Sequence, residues 1–373
     1  MEKFDQPFVE LPEALVEELL SKSEEIGDSL YETFKQIERD KENLRKELRD
    51  KGFLKSDSEI GYPDIPTTCG IDGSYVLERL LSIDFIACAA VAVEGLTPPS
   101  EKKHWENPHH RIFLSPAKHS PNSGSIIRGL MMEMEIELAS KSPHDVVFLD
   151  GSLTTPIIYM NQAINKLIET EKNSFSDEII KRLDEFLTNY HLILEARRTD
   201  KIWAGIPKYT TKREMGERFG WSSYYDDRAI LTTILQPGEF TFPIPLGSPS
   251  QPWHLKLPTG NVYKDFDPIL RKIHVMYYKP NKWTPALRIE IASSIATNKA
   301  RLAILLQGLK YQCRTPGIFE PYPLYLADRM VKHLGKAIPA IRQTATKKIV
   351  ELYKGNVGNI FFSMHGYRTE TGR

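Results

Sequence analysis

The chain is poor in cysteine and has no net excess of either charge. Its 373 residues hold three cysteines, Cys69, Cys88 and Cys313, far apart and without CxxC spacing, which argues against a disulfide framework and a cysteine zinc site. A reducing, cytoplasmic setting is expected. The 49 basic and 49 acidic side chains cancel to a formal charge of zero, so a polyanionic partner would need a local basic surface. The longest apolar stretch, Leu80 to Leu96, is broken by Asp84 and Glu94 and is too short to cross a bilayer comfortably. The start MEKFDQPFVELPEAL is acidic and lacks the basic head and apolar run of a signal peptide, so neither a membrane segment nor export is expected. No GxxxxGK[ST] sequence occurs, so the chain itself should not power translocation along a polymer. No internal repeat is apparent.

From about Leu11 to Lys55, Leu15, Leu19, Ile26, Leu30, Ile37, Leu44 and Leu48 recur at steps of four and seven. They predict a long amphipathic helix, bent near Gly27, that packs on its own domain or docks a partner. Pro63 and Pro66 end the helical regime. Strands are then predicted over Thr67–Ile71, Ile83–Val93 and Arg111–Ser115, a helix over Ser123–Ser140, and a buried strand over His144–Leu149. That β-β-β-α-β order is how an RNase H-like fold begins, although other α/β domains share it. Further on, a helix is expected over Asp177–Ala196, a strand over Ile202–Ile206, a helix over Arg228–Leu235 and Pro-rich connecting loops over Gln236–Pro258. Strands over Val275–Tyr278 and Ala286–Ile291 and helices over Ala292–Gly308 and Leu324–Leu334 follow.

Two segments carry the chemistry. GIDGSY, with Asp72, and FLDGSL, with Asp150, each place an aspartate at the predicted end of an apolar strand, followed by Gly and Ser. A single such segment is most simply an Asx turn. Two in the same context suggest paired carboxylates, which repel unless a cation or basic neighbours balance them. Hard oxygen ligands suit magnesium or manganese, and such ions drive phosphodiester hydrolysis. On the helix between them lie Glu133, Glu135 and Glu137. One of these would complete the site and at least two would be solvated, and helical phase does not choose among them. A phosphatase of the haloacid-dehalogenase type would need a nucleophilic aspartate two residues before Asp150, where Phe148 stands.

GIDGSY, the helix segment EIELA and VVFLDGSL together resemble the NurA nucleases. AGIPKYTTKRE with Lys208, YYDDRAILTTIL with Asp227 and Arg228, LRIEIA with Arg288 and Glu290, and PYPLYLADR with Asp328 are similar to later segments of that family, so the resemblance spans about residues 65–335. It implies an α/β, RNase H-like mixed sheet flanked by helices, and manganese-dependent (or magnesium-dependent) DNA cleavage. It also implies a homodimer and a HerA-type hexameric ATPase as partner, in DNA end resection and repair or in antiphage defence. The division expected is a long N-terminal helical extension at 1–60, the nuclease domain at 61–335 and a basic segment at 336–373.

By position, Asp72, Asp150 and Glu135 match the family's metal ligands, with Glu133 close behind Glu135. Lys208 matches a basic residue near the scissile phosphate, and Lys208, Lys212, Arg213 and Arg228 are the expected DNA contacts. Where many relatives carry a histidine after PLxLA, this chain has Asp328. An aspartate ligates through oxygen but cannot act as an imidazole base, so the fourth ligand is either Asp328 or His365 of the FFSMHGYR tail. Lys332, Lys336, Arg342, Lys347, Lys348, Lys354, Arg368 and Arg373 make the C-terminal part locally basic, able to follow a phosphate backbone. EKKHWENPHHRIF, with His104, His109 and His110, reads as a loop interrupted by Pro108. Trp203, Trp221, Trp253 and Trp283 are considered as stacking platforms for unpaired bases or as core residues. The alternative function is a non-catalytic scaffold that binds the ATPase or DNA; a junction-specific nuclease on the same fold is a third.

Overall fold

The structure is a computed structural model that describes residues 8, 11–96, 104, 105, 107, 109–169, 174–210, 212–223, 225–247 and 249–372. Most of the acidic start, Pro108 and Arg373 lie outside them. A 38-residue helix α1 (Glu13–Asp50) comes first and runs unbroken through Gly27. Its second half is held by burial: Ile37 and Leu48 enter the core, and the buried Arg45 pairs with Glu239 at 2.7 Å. Over its first half Leu15, Leu19, Ile26 and Leu30 stay exposed. The apolar stripe therefore packs on this chain only over its C-terminal part.

After a short strand β1 (Leu54–Ser56), three strands form an antiparallel meander: β2 (Thr68–Leu80), β3 (Asp84–Glu94) and β4 (His109–Ala117). His109 and His110 thus lie on a strand, not in a loop. Helix α2 (Ser123–Lys141) crosses the sheet, and β5 (Val146–Asp150) pairs parallel with β2. Its VVFLD run is buried throughout, as a strand covered on both faces requires. Helices α3 (Thr155–Ile168) and α4 (Ser174–Glu195) pack on α2, and β6 (Ile202–Ile206) pairs parallel with β5. The resulting order β6-β5-β2-β3-β4 is the RNase H-like arrangement that the element order predicts.

Helices α5 (Glu214–Phe219) and α6 (Asp227–Ile234) lead to a second half of the sheet. Here β7 (Glu239–Thr241), β8 (Ile244–Pro245), a ribbon of β9 (Leu255–Lys256) and β10 (Val262–Tyr263), and the short helix α7 (Asp267–Leu270) precede β11 (His274–Tyr278) and β12 (Leu287–Ile291). The sheet continues from β6 through β12, β11 and β7 to β1. The stretch expected as connecting loops, Gln236–Pro258, therefore contains β7, β8 and β9. The single helix expected over 292–308 is two, α8 (Ser293–Ala296) and α9 (Lys299–Gln312), because the Asn298 side chain caps the second by accepting from the N–H groups of Ala300 and Arg301.

Helix α10 (Tyr322–Leu352) runs on well past Leu334 and crosses the boundary expected at residue 335. After α11 (Val357–Ser363), strand β13 (Gly366–Gly372) pairs antiparallel with β2. The alternation along β2 separates the two faces of the sheet. Cys69, Ile71, Tyr75 and Leu77 join the core containing α2, while Val76 and Leu80 cluster with Ile338 of α10 and with Ile360 and Met364.

Candidate metal centre

Asp72 and Asp150 meet because β2 and β5 run parallel in register. Ile71 pairs with Leu149, so the next residue on each strand is an aspartate. Only FLDGSL is a strand-end turn: Asp150 closes β5, and Gly151 takes a φ of 110°. GIDGSY departs from the expectation, since Asp72, Gly73 and Ser74 lie inside β2, opposite Val91, Ala90 and Ala89 of β3. The other edge of β2 is covered by β5 as far as Ile71 and by β13 from Tyr75 onward. Asp72 stands in the interval between those two strands.

A third aspartate reaches them from α10. The start of that helix lies directly on Gly70 of β2, where a Cβ atom would come within 2.4 Å of the Pro323 and Leu324 backbone. Glycine is what lets the helix approach so closely, and Asp328 follows just over a turn later. Asp72 shares its face of β2 with Gly70 and Val76, the α10 face. One carboxylate oxygen from each of Asp72, Asp150 and Asp328 lies within 4.8 Å of the others. Asp72 and Asp150 are buried, Asp328 partly so.

Lys208 is drawn into this group, its Nζ lying 2.9 Å from Asp150, 3.1 Å from Glu320 and 3.1 Å from Asp328. Burial opposes a charged lysine, but the charges of Asp150 and Glu320 outweigh it and hold the ammonium above its usual range. Lys332, one turn after Asp328, binds its other oxygen at 2.8 Å. Burial would raise the Asp328 carboxyl, yet Lys332 and Lys208 hold it below the ordinary value. Glu320 is pushed up by burial, which Lys208 offsets only in part. No sequence motif pointed to Glu320; its one signal is its place directly before Pro321, where α10 begins.

The helix glutamates differ from expectation, for Glu133, Glu135 and Glu137 are all buried and none forms a solvated face. Glu137 is met by Arg111 and Lys141, each at 2.7 Å. Against the effect of burial, those partners hold its carboxyl down at about 2. Glu133 faces Arg182 at 3.3 Å and is pushed up to about 7 by burial, which Arg182 only partly offsets. Glu135 is the one packed against Gly73, the residue after Asp72: a Cβ on Gly73 would lie 2.4 Å from its Oε1. It reaches the neighbour of Asp72 from the α2 side.

With this geometry in hand, relatives can be compared. The sequence model of the NurA domain matches residues 66–333. The chain belongs to the NurA family. Its fold is similar to the crystal structure of the NurA nuclease from Sulfolobus solfataricus, with a TM-score of 0.60 and 15% identity over 90% of this chain and 98% of that one. It is also similar to the crystal structure of NurA with manganese, with a TM-score of 0.50 and 14% identity over 88% and 99% of the two chains. Among curated proteins there is no match.

The NurA-domain match takes in all three aspartates and ends within α10, and several of its polar residues hold the site from behind. Glu290 accepts from Ser152 Oγ at 2.6 Å and from the Leu153 N–H at 3.0 Å, fixing the turn after Asp150. Arg288 braces Glu290 at 3.1 Å and Glu214 at 2.7 Å. Asp227 accepts from the N–H groups of Met215 and Gly216, both at 2.7 Å, at the start of α5. Arg228 donates to the carbonyls of Lys208 and Ala286, and Arg213 to those of Tyr225 and Trp221. Arg228 is thus used to shape the segment that carries Lys208, and Arg213 the connection between α5 and α6.

Lys212 instead lines an open cleft of about 480 Å³ beside Asp150, together with Ser152, Thr155, Lys208 and Tyr209. A larger cleft, about 990 Å³, lies between α10 and α11, away from the aspartates, and His365 lines it. His365 adjoins the Gly366–Leu80 pair, eight residues along β2 from Asp72 or about 25 Å, so it is not brought to the site. Trp203 is buried, with its Nε1 donating to the Ala139 carbonyl, and Trp221 is buried with its Nε1 turned toward Glu47 of α1.

Proposed function

We propose that this NurA-family chain is a metal-dependent deoxyribonuclease whose manganese or magnesium ion is held by Asp72, Asp150 and Asp328, with Glu135 completing the set from α2. The observation that carries this reading is the convergence of three carboxylates, from β2, β5 and α10, to within 4.8 Å. The donors are all oxygen, and three carboxylates, Asp150, Asp328 and Glu320, converge on Lys208, with Lys332 on Asp328 as well. That chemistry fits a hard divalent ion. When bound, such an ion supplies an activated water and stabilisation of the leaving oxygen in phosphodiester hydrolysis.

The side chains supply the rest. Lys208 is charged, half-buried and in contact with Asp150, so its ammonium would offset negative charge developing on a phosphodiester bound beside the aspartates. Lys212, in the adjoining cleft, holds the next stretch of backbone without reading sequence. Asp328, kept ionised by Lys332 and Lys208, serves as a ligand where an imidazole base would otherwise stand. Glu290 keeps Asp150 aimed by fixing the turn that follows it.

DNA is the substrate, processed from its ends, with endonucleolytic attack on single strands as a second activity. The chain acts as a homodimer beside a HerA-type hexameric ATPase, in end resection and repair or in antiphage defence, within the cytoplasm. Support for these partners comes from family membership and from the lack of a nucleotide-binding loop in a chain that would need a motor. No helix among the described residues is long and apolar enough to cross a membrane. The test is cleavage of end-labelled single-stranded and duplex DNA by wild type and Asp150→Ala, with manganese, magnesium or EDTA. Metal-dependent loss of DNA with wild type alone supports the reading. A wild type inert in every metal, even with its ATPase present, would make the chain a binding scaffold.

A further inference from the structure

Three ligand-bearing side chains outside the aspartate site also converge. Glu94 ends β3 opposite Cys69, His144 lies just before β5, and His104 follows Glu94 by ten residues. One ligand atom from each lies within 4.8 Å of the others. His144 is completely buried, with its Nε2 2.9 Å from Glu94 Oε1 and its Nδ1 2.9 Å from Ser142 Oγ. The Ser142 contact fixes the ring so that Nε2 is the nitrogen presented to the cluster, as a hydrogen-bonded second nitrogen does for ligating histidines. His104 is exposed, and its ring stands 4.8 Å from that of His144 at 78°. Trp105 covers the group, its ring 4.7 Å from His144 and stacked at 4.0 Å on His109. Lys201 Nζ donates to the His144 carbonyl at 2.7 Å.

We propose that Glu94, His104 and His144 form a second metal site, for a borderline divalent ion of the zinc class. Two imidazoles and one carboxylate form a nitrogen-rich donor set that suits zinc, cobalt or nickel, whereas the all-oxygen aspartate site suits manganese or magnesium. Asp150 lies six positions after His144, about 20 Å along an extended chain, so the two sites do not share ligands. His104 lies on the surface side and leaves a fourth position open to solvent or to an added ligand. The ion ties the chain after β3 to the start of β5, joining residues 10 and 50 positions apart in sequence to Glu94. Without an ion, the same carboxylate anchors this segment through the N–H groups of His104, at 2.6 Å, and Trp105, at 3.4 Å. Ligand binding and simple anchoring therefore make different predictions about added metal.

The test uses the full chain carrying Asp150→Asn, to weaken the aspartate site, and does not depend on nuclease activity. Cobalt is titrated in and its visible absorption followed, then zinc is added as competitor. The expected result is one equivalent of zinc-displaceable cobalt with the intense bands of a low-coordinate nitrogen-bearing site. Adding His104→Ala should weaken that binding by about 100-fold or more. Zinc should raise the melting temperature of the Asp150→Asn chain but not of the double variant. Because His104 is exposed, its loss should leave the metal-free melting temperature where it was. No zinc-displaceable cobalt in Asp150→Asn, or equal binding with and without His104, would overturn the site and leave Glu94 as an anchor alone.

Discussion

The core carries two acidic groups built from the same kinds of residue and separated by the central sheet. On the α2 side, Glu133 and Glu137 are met by Arg182, Arg111 and Lys141, with separations from 2.7 to 3.7 Å. On the α10 side, Asp72 stands with Asp150 and Asp328, and Asp150, Asp328 and Glu320 share Lys208, with Lys332 on Asp328. Arginine offers a planar fork that matches a carboxylate and fixes it, while lysine is a mobile point charge. The first group is therefore neutralised scaffolding and the second keeps acidic excess and movable cations. Partners, not acidity, set the proposed metal site apart from the buried ion-pair network.

The contrast can be pressed hardest at Asp150. Asp150→Asn keeps the shape of the side chain and removes its charge, so metal-dependent turnover should fall by about a thousandfold or more, while the melting temperature stays near that of wild type. Glu290→Gln acts one step back: it puts an amide where Arg288 and the Leu153 N–H both donate. Turnover should drop by roughly 10- to 100-fold, mostly through weaker metal affinity, and excess manganese should recover part of it. Arg111→Ala tests the other side of the sheet. Leaving Glu137 with Lys141 and the longer 3.7 Å contact to Arg182 should cost about 1–3 kcal/mol in denaturant unfolding, with manganese affinity unchanged.

A pH series separates the groups further. Glu137 is held at about 2 in the folded chain against an ordinary 4.5. Its stabilisation is therefore complete above pH 4.5 and lost as the pH falls through about 2. Wild type should lose on the order of 2–3 kcal/mol across that window from this group, and Glu137→Gln should flatten that part of the unfolding profile. The smallest effect is expected at the cleft: Lys212→Ala should weaken DNA binding evenly across sequences and reduce the salt slope by about one.

Much of this layout was legible in the sequence, for identifiable reasons. The meander, α2 and β5 declare themselves by apolar runs, and Asp72 and Asp150 by the glycines that follow them. Those glycines serve different ends, since Gly151 turns the chain while Gly73 makes room for Glu135 inside a strand, and local sequence does not tell the two apart. Asp328 was visible only through family resemblance, because its approach depends on α10 lying on Gly70, a contact between residues far apart in the chain. Glu320 was missed for the same reason. The fates of Glu133 and Glu137 hinge on Arg111 and Arg182, on other elements, so helical phase could not choose among the three glutamates, and the expectation that at least two are solvated does not hold. Helix α3 was readable in principle, since Pro156 opens it and Ile157, Met160, Ile164 and Leu167 bury one stripe. Strand β13 was not, since its mostly exposed residues lack an apolar alternation and are held by pairing with β2.

The most direct test is a manganese titration of the full chain, followed by the electron paramagnetic resonance of the free ion, in wild type, Asp72→Asn and Glu137→Gln. Asp72→Asn should weaken binding at least about tenfold, and Glu137→Gln should bind as wild type does. Equal binding in wild type and Asp72→Asn, or a loss confined to Glu137→Gln, would contradict the assignment of the metal to the aspartates.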